Sequence, residues 1–394
     1  MKQIKRFVII LACALSLHAQ KAAPQTYADT AKHSSTIWNP IRKLGRLIDT
    51  LCVSGIDRRY IDVPEKPWQV MLKGNFNQTI HNMKSVIDGS NLFRMAEGDL
   101  VWEPEIKTVP STYVGVWAGY RGYGIGYSWN VGGDKGRIFT LGAMGGSYGV
   151  NLRIHNFESD HTKVRMAGNF YTSEESSELE YIDETESINL ASPIKIRTLF
   201  LDAYYMFNGK RFSYCAAYDQ SAIQKRSAGS LMAGAMYYYS RIKYDTDENA
   251  DFILMMNDVG RFKQWQLSAG VGYAYNYVPF RGMLVSIIGM PMLTFYNRYK
   301  AWHYDSNLRH VARFDFDSLD DIDNEDDYKI SLMSVDSRHT RISLNIDARL
   351  SLTYQWDRYF VNAYGQFTNF HYKTRQVSGN TSDWFVNAAF GVRF

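Results

Sequence analysis

The chain has 394 residues, 45% of them hydrophobic and 15% aromatic, with a formal net charge of only +4. Charge this evenly mixed argues against a dedicated nucleic-acid binder. Three cysteines in a chain of this length exclude a disulfide-framed scaffold, no Cys/His spacing matches a zinc site, and no cofactor is expected.

The N-terminus carries Lys2, Lys5 and Arg6, then an apolar run from Phe7 to Leu17, then His18-Ala19-Gln20. A basic start, a short apolar stretch and a small residue before a polar one describe a secretory signal peptide, here residues 1–19 with cleavage after Ala19. The run is shorter than the roughly 20 apolar residues of a membrane-spanning helix. Ile10-Leu11-Ala12 ahead of Cys13 also fits a lipoprotein signal, but that reading leaves only a stub of apolar region. The chain is therefore expected to be exported. Cys52 and Cys215 then remain, and read as separate thiols rather than a staple, although an oxidising periplasm leaves one pairing open.

Residues 20–66 are expected to be a short periplasmic or lumen-entering segment. Ile37, Ile41, Leu44, Ile48 and Leu51 fit a helical stripe that Pro40 and Gly45 weaken, so a disordered lead-in is the equal alternative.

Beyond residue 66 no apolar stretch is long enough for a membrane helix; the longest, Met283 to Phe295, contains Ser286, Gly289 and Pro291. The apolar residues recur instead with period two. Between Arg341 and Trp356, Ile342, Leu344, Ile346, Leu350, Leu352 and Tyr354 alternate with Ser343, Asn345, Asp347, Arg349, Ser351 and Thr353. Successive strand side chains point to opposite faces, so one face is wholly apolar and the other polar. The same grammar runs through Trp68–Asn77, Tyr123–Asn130, Ser147–His155, Phe212–Asp219 and Trp265–Tyr275. Apolar-out, polar-in alternation over segments this long is the signature of a membrane β-barrel strand, for which about 9–11 tilted residues suffice.

Strand cores are expected near 67–79, 111–120, 122–130, 137–144, 147–157, 163–173, 195–207, 209–219, 228–243, 264–276, 283–297, 340–355, 358–371 and 383–394. The weak segments are 137–144 and 163–173. The expected fold is all-β, a transmembrane antiparallel barrel over residues 67–394, of about 14 strands, or about 12 if both weak segments drop out. Met232–Tyr239 and Met283–Phe295 are apolar on both faces, as residues filling the lumen would be. Asn208-Gly209 predicts a tight hairpin, and Gly145-Gly146 and Arg121-Gly122 similar reversals. The acidic stretches 174–186, 245–251 and 315–327 read as long loops. A soluble β-sandwich or lipocalin would also alternate, but would have to bury all these apolar faces against one another.

The last strand places Trp384, Phe390, Val392 and the terminal Phe394 on one face, which resembles the signal that barrel-assembly machinery recognises. Three stretches resemble the family known as domain of unknown function 4421, found in Gram-negative bacteria of the Bacteroides type. They are Tyr60-Ile61 leading to Trp68-Gln69-Val70, the Tyr120–Tyr127 hairpin, and Phe207–Ser230. The resemblance implies an exported β-rich protein and no catalytic residues.

Candidate lumen-lining residues are Lys73, Arg153, His155, Arg341, Asp347 and Arg349, read as an internal ion-pair network that plugs a narrow barrel or sets selectivity in a wide one. No nucleophile stands beside His155, His161, His303, His310 or His339. The 315–327 loop could hold Ca²⁺ through its carboxylates but lacks EF-hand spacing. Gln224-Lys225-Arg226-Ser227 reads as a polar reversal or a partner-docking point. The expected partners are outer-membrane lipid and lipopolysaccharide, and the assembly machinery. The leading reading is a passive channel or structural barrel; the alternatives are an enzyme acting on lipid or lipopolysaccharide, and an interaction protein.

Overall fold

The structure is a computed structural model, described for residues 55–88, 96–107, 110–133, 135–172, 178–246, 248–249, 253, 258–305, 331–340, 342–373 and 377–394. The expected signal peptide, the stripe from Ile37 to Leu51, Cys52, the 315–327 stretch, His310 and Arg341 lie outside these residues.

In chain order the strands are β1 (Ile61–Asp62), β2 (Trp68–Asp88), β3 (Ala96–Lys107), β4 (Ser111–Tyr120), β5 (Tyr123–Gly132) and β6 (Gly136–Met144). Next come β7 (Tyr148–Tyr171), β8 (Leu179–Met206), a short helix α1 (Tyr214–Tyr218), β9 (Ile223–Gln224), β10 (Ala228–Lys243) and β11 (Val259–Tyr277). The remainder are β12 (Met283–Asp305), β13 (Ser331–His339), β14 (Ser343–Trp356), β15 (Tyr359–Lys373) and β16 (Val377–Arg393). Fourteen strands share one sheet. Twelve of them close on themselves, in the order β2-β4-β5-β6-β7-β8-β10-β11-β12-β14-β15-β16 and back to β2, every pairing antiparallel. Closure leaves the ring no unpaired edge, which lipid could not satisfy.

The alternation in β14 explains how each strand is held. Ile342 just ahead of it and Leu344 within it are 67% and 73% exposed on the outer face, while Asp347 is wholly buried on the inner one. The outer face of the ring is apolar in this way all round, with exposed Val271 on β11, Ile287 on β12 and Val386 on β16. Aromatics cluster at the end where the chain reverses quickly, among them Trp68, Phe207, Tyr277, Trp356 and Phe394. At that end the Arg121-Gly122 reversal has both residues at positive φ (51° and 90°), as a tight hairpin turn demands.

The wall changes construction along its height. β2 pairs with β4 over Trp68–Asn77 but with β3 over Ile80–Asp88. β3 pairs on its other side with the distal half of β7, while the β5–β6 hairpin fills the gap between β4 and the proximal half of β7. Pro110 stands directly before β4, where a missing N–H interrupts any continuous ladder from β3. β12 repeats the device, pairing with β14 near the short-turn end and with β13 at the far end.

Three sequence expectations are corrected by these elements and a fourth is upheld. Residues 163–173 are not a strand of their own but the distal half of β7. The weak 137–144 segment is real, as β6. The Glu-rich stretch 174–186 is not all loop, since β8 begins at Leu179; acidic residues sit comfortably on a wall beyond the membrane. Residues 209–219 are not a barrel strand: they leave the wall and form α1 inside the ring, so Asn208-Gly209 is not a hairpin between two strands. The ring of twelve therefore arises differently from the expected pruning, by merging 163–173 and diverting 209–219.

Candidate functional site: a plugged lumen

Between β8 and β10 the chain makes a detour through the barrel interior. The wall's backbone pairing ends at Phe207, whose N–H donates to Leu231 O; Asn208 still bonds Ser230 and Gly229 of β10, and Ala228 rejoins the wall. Within the detour, all five residues of α1 are buried. The Tyr/Ala/Cys alternation that mimics a strand is thus apolar on every side, because every side is enclosed. Ser213 caps the helix, its Oγ accepting from Ala216 N at 3.2 Å. The wall side chains around it are Met206, Met232, Met236, Ile288, Met290 and Met292, one core cluster with the helix. Unbranched thioether side chains fill the irregular gap between a helix and a curved sheet. This accounts for the two segments that are apolar on both faces.

The wall also satisfies the plug's backbone. Ala217 O accepts from Ser351 Oγ (2.6 Å) and Asn362 Nδ2 (3.0 Å). Gln220 O accepts from the Arg393 guanidinium, and Asp219 O from Gln69 Nε2. Asn276 Nδ2 donates to Ser213 O, and Cys215 Sγ to Gly145 O. A helix of five residues leaves most of its carbonyls without internal partners, and here the barrel supplies them. Gly149 lets Tyr214 lie flat on the wall; a Cβ there would stand 2.8 Å from the ring.

Around α1 lies a buried charge network. Arg349 donates to Asp202 (2.9 Å), to both oxygens of Asp347 (3.2 Å) and to Tyr214 Oη (2.7 Å), and also meets Tyr204. Asn151 donates to Asp202, while Tyr204 and Gln366 donate to Asp347. One guanidinium thus serves two carboxylates, each further satisfied, which is the condition for burying charge without a large penalty. A second group pairs Arg153 with Asp383, which also accepts from Thr79; the guanidinium lies between the rings of Phe200 and Phe385, 4.5 Å from each centroid.

Lys73 faces inward over Trp117 at 4.2 Å, outside both ion pairs. His155 is buried and engaged at both nitrogens: Asn77 Nδ2 donates to Nδ1 (3.2 Å), and Nε2 meets Tyr113 Oη (2.8 Å). With both nitrogens occupied by structural partners, the ring has none left to activate a hydroxyl. His339 rests against the Tyr296 ring. The space left between Lys73, Asn151, Arg153, Asp202, Arg349 and Gln366 is a cavity of about 70 Å³. That holds a few waters and falls far short of a ligand pocket. Among the described residues no group of three metal-ligating side chains occurs.

The sequence named Asp347, Arg349, Arg153, Lys73 and His155 as lumen-lining candidates but not the residues they meet. Asp202, the lone charge in an otherwise apolar Leu199–Met206, and Asp383, beside Trp384, were the available signals. The expected single network is two.

At the short-turn end the plug is tied to the N-terminal segment. β1 pairs with β9, Asp57 N donates to Lys210 O, and Lys225 N to Tyr60 O. Gln224 is buried here and bonds the backbone at Ser213, Arg211 and Arg226, so it belongs to the plug's internal scaffold. Asp57 accepts from the Arg59 side chain and backbone, which hold its carboxyl down at about 2.

Solved structures to which the chain is similar include the outer membrane protease OmpT from Escherichia coli (7% identical, 84% of this chain and 98% of that one, TM-score 0.40). Others are the translocator domain of the autotransporter NalP from Neisseria meningitidis (9%, 91% and 97%, TM-score 0.27) and the outer membrane protein OprG from Pseudomonas aeruginosa (11%, 84% and 97%, TM-score 0.26). No curated protein matches the sequence. A family model described as Domain of unknown function (DUF4421) matches residues 60–394, from the strand that ties down the plug to the last residue of the ring, and the chain belongs to that family.

Proposed function

We propose that this outer-membrane barrel is a solute-tight scaffold, exported through a cleaved signal peptide, whose work is done on its outer surfaces and not through its lumen. The observation that carries this reading is the plug: α1 is packed on all sides, the segment Ser213–Gln220 around it is bonded to six strands of the wall (β2, β7, β11, β14, β15 and β16), and the Arg349 network backs it. Passive diffusion would need this segment to leave, against buried charge and apolar contacts together. The short reversals are then periplasmic and the long strands external, as is usual for such barrels. Trp384, Phe390 and Phe394, exposed on the outer face of β16 with Val392 beside them, suit recognition by assembly machinery.

Planar-bilayer recordings test the reading. The purified chain should insert without stable conductance, whereas replacing residues 212–222 by a short Gly/Ser linker should produce steady channels. Long-lived openings from the unaltered protein would refute it. The environment of His155, engaged at both ring nitrogens, supports no hydrolytic role for that residue.

A further inference from the structure

The outer face of the barrel changes character abruptly along one side. Moving away from the short turns, Arg137 follows Phe139 on β6, Arg197 follows Leu199 on β8, and Arg241 follows Tyr239 on β10. Lys263 follows Trp265 on β11, and Arg298 follows Tyr296 on β12. On all five strands the first charge beyond the apolar belt is a cation. The opposite side of the ring shows neutral groups at the same transition: Gln78 after Phe76, Asn369 after Phe367, and Ser382 after Trp384.

Strand register assembles these cations. One continuous ladder runs Arg137–Asn156–Arg197–Arg241–Lys263–Lys300, each residue directly opposite the next. The adjacent outward row holds Lys195 opposite Lys243, and Lys243 opposite Arg261. Neighbouring strands are about 4.8 Å apart, so like charges stand side by side, an arrangement that destabilises a sheet unless an anion intervenes. Among the described residues, Arg137, Arg197, Arg241, Lys263 and Lys300 form no ion pair with a carboxylate; Arg261 and Lys263 share the ring of Trp302 instead, at 4.7 and 5.0 Å. Over β6 to β10 the two rows line a cleft of about 720 Å³ in which Glu158 is the one acid.

Repelling cations set at the edge of an apolar, aromatic belt match one kind of occupant: a molecule with several negative charges at one end and hydrocarbon at the other. We infer that this side of the barrel holds a phosphorylated glycolipid of the outer leaflet, of the lipid A class. Its phosphates sit among Arg137, Arg197, Arg241 and Lys263, and its acyl chains run along Leu199, Tyr239 and Trp265. Bidentate guanidinium–phosphate geometry suits the three arginines. The inference rests on the membrane placement and outward orientation of the barrel, and is independent of whether the lumen conducts.

The test uses the full-length barrel in mild detergent and native mass spectrometry with bis-phosphorylated lipid A, its fully dephosphorylated counterpart, and inorganic phosphate. Bis-phosphorylated lipid A should remain bound at least tenfold more than the dephosphorylated form. The outward-facing triple variant Arg197→Gln, Arg241→Gln, Lys263→Gln should lose that preference, while Gln78→Ala, Asn369→Ala and Ser382→Ala together should keep it. Heat-modifiable gel migration of each variant reads the barrel fold separately, so loss of binding in a still heat-modifiable triple variant supports the site. Equal retention of the two lipids, or an undiminished preference in the triple variant, would overturn it. Stabilisation by inorganic phosphate equal to that by lipid A would overturn the lipid as the source of the phosphate.

Discussion

Removing Arg349 would leave Asp202 and Asp347 facing each other within an enclosed wall, with Tyr204 and Tyr214 able to neutralise neither. Breaking a buried pair by deleting one partner typically costs about 3–5 kcal/mol, because the stranded charge is not resolvated. Arg349→Ala should therefore lower stability by roughly that amount in urea unfolding followed by tryptophan fluorescence in detergent micelles. Arg349→Lys should restore little, since an ammonium is a compact point charge and cannot span two carboxylates and a phenol at once. A loss below about 1 kcal/mol for the alanine variant would mean that water reaches the network. At this scale the sequence was half legible. Asp347 and Arg349 share a face two residues apart, so alternation finds them; Asp202 lies 147 residues from Arg349 and meets it only because the ring closes and α1 fills the middle.

The elements that sequence reading located best are those whose two faces see different solvents. β14 is lipid-facing on one side and polar on the other, and its period stands out. α1 sees protein on every side, so nothing in its residue pattern separates strand from helix, and its five residues are too few to stand alone as a helix. Its position depends on the elements that clamp it, including the N-terminal segment through β1 and β9. Asp57 organises that segment: its carboxylate bonds Arg59 and meets Arg211, which fixes the turn in which its main-chain carbonyl accepts from the N–H groups of Tyr60 and Ile61. Because its carboxyl is depressed to about 2, the contribution is complete above its ordinary value near 4 and is lost as pH falls through 2. Hydrogen exchange at Tyr60 and Ile61 should be unaffected by this carboxyl between pH 5 and 8, once intrinsic rates are removed, and protection should fall towards pH 2. Asp57→Asn should reduce protection already at neutral pH; unchanged protection in that variant would show that β1–β9 pairing alone anchors the segment.

Strand length governs the shape of the molecule as a whole. A bilayer is crossed by about 9–11 tilted residues, yet β8 has 28 residues, β7 24 and β12 23. The surplus cannot lie in lipid, because its outward side chains are charged or polar: Lys195 and Arg197, then Asn189, Ser187 and Asp183 (ion-paired to Arg165 of β7), follow the apolar Leu199 and Leu201. The barrel therefore continues as a wall well beyond the membrane, ring strands giving way to β3 and β13 on the way. At its far end this wall is nearly silent in the alternation pattern, since almost every residue from Leu179 to Glu186 is exposed whichever face it is on and the charge density reads as loop; that is why 179–186 escaped notice. Single cysteines in a Cys52→Ser, Cys215→Ser background give a direct measure. A membrane-impermeant maleimide applied to intact cells should label Glu184→Cys, on the external wall, and spare both Leu199→Cys, in the lipid belt, and Lys210→Cys, at the short-turn end. Breaking the cells should expose Lys210→Cys and still leave Leu199→Cys unlabelled. The reverse pattern, with Lys210→Cys labelled on intact cells and Glu184→Cys only after lysis, would turn the barrel over and put its cationic rows on the periplasmic leaflet, where phosphorylated glycolipid of the outer leaflet could not reach them.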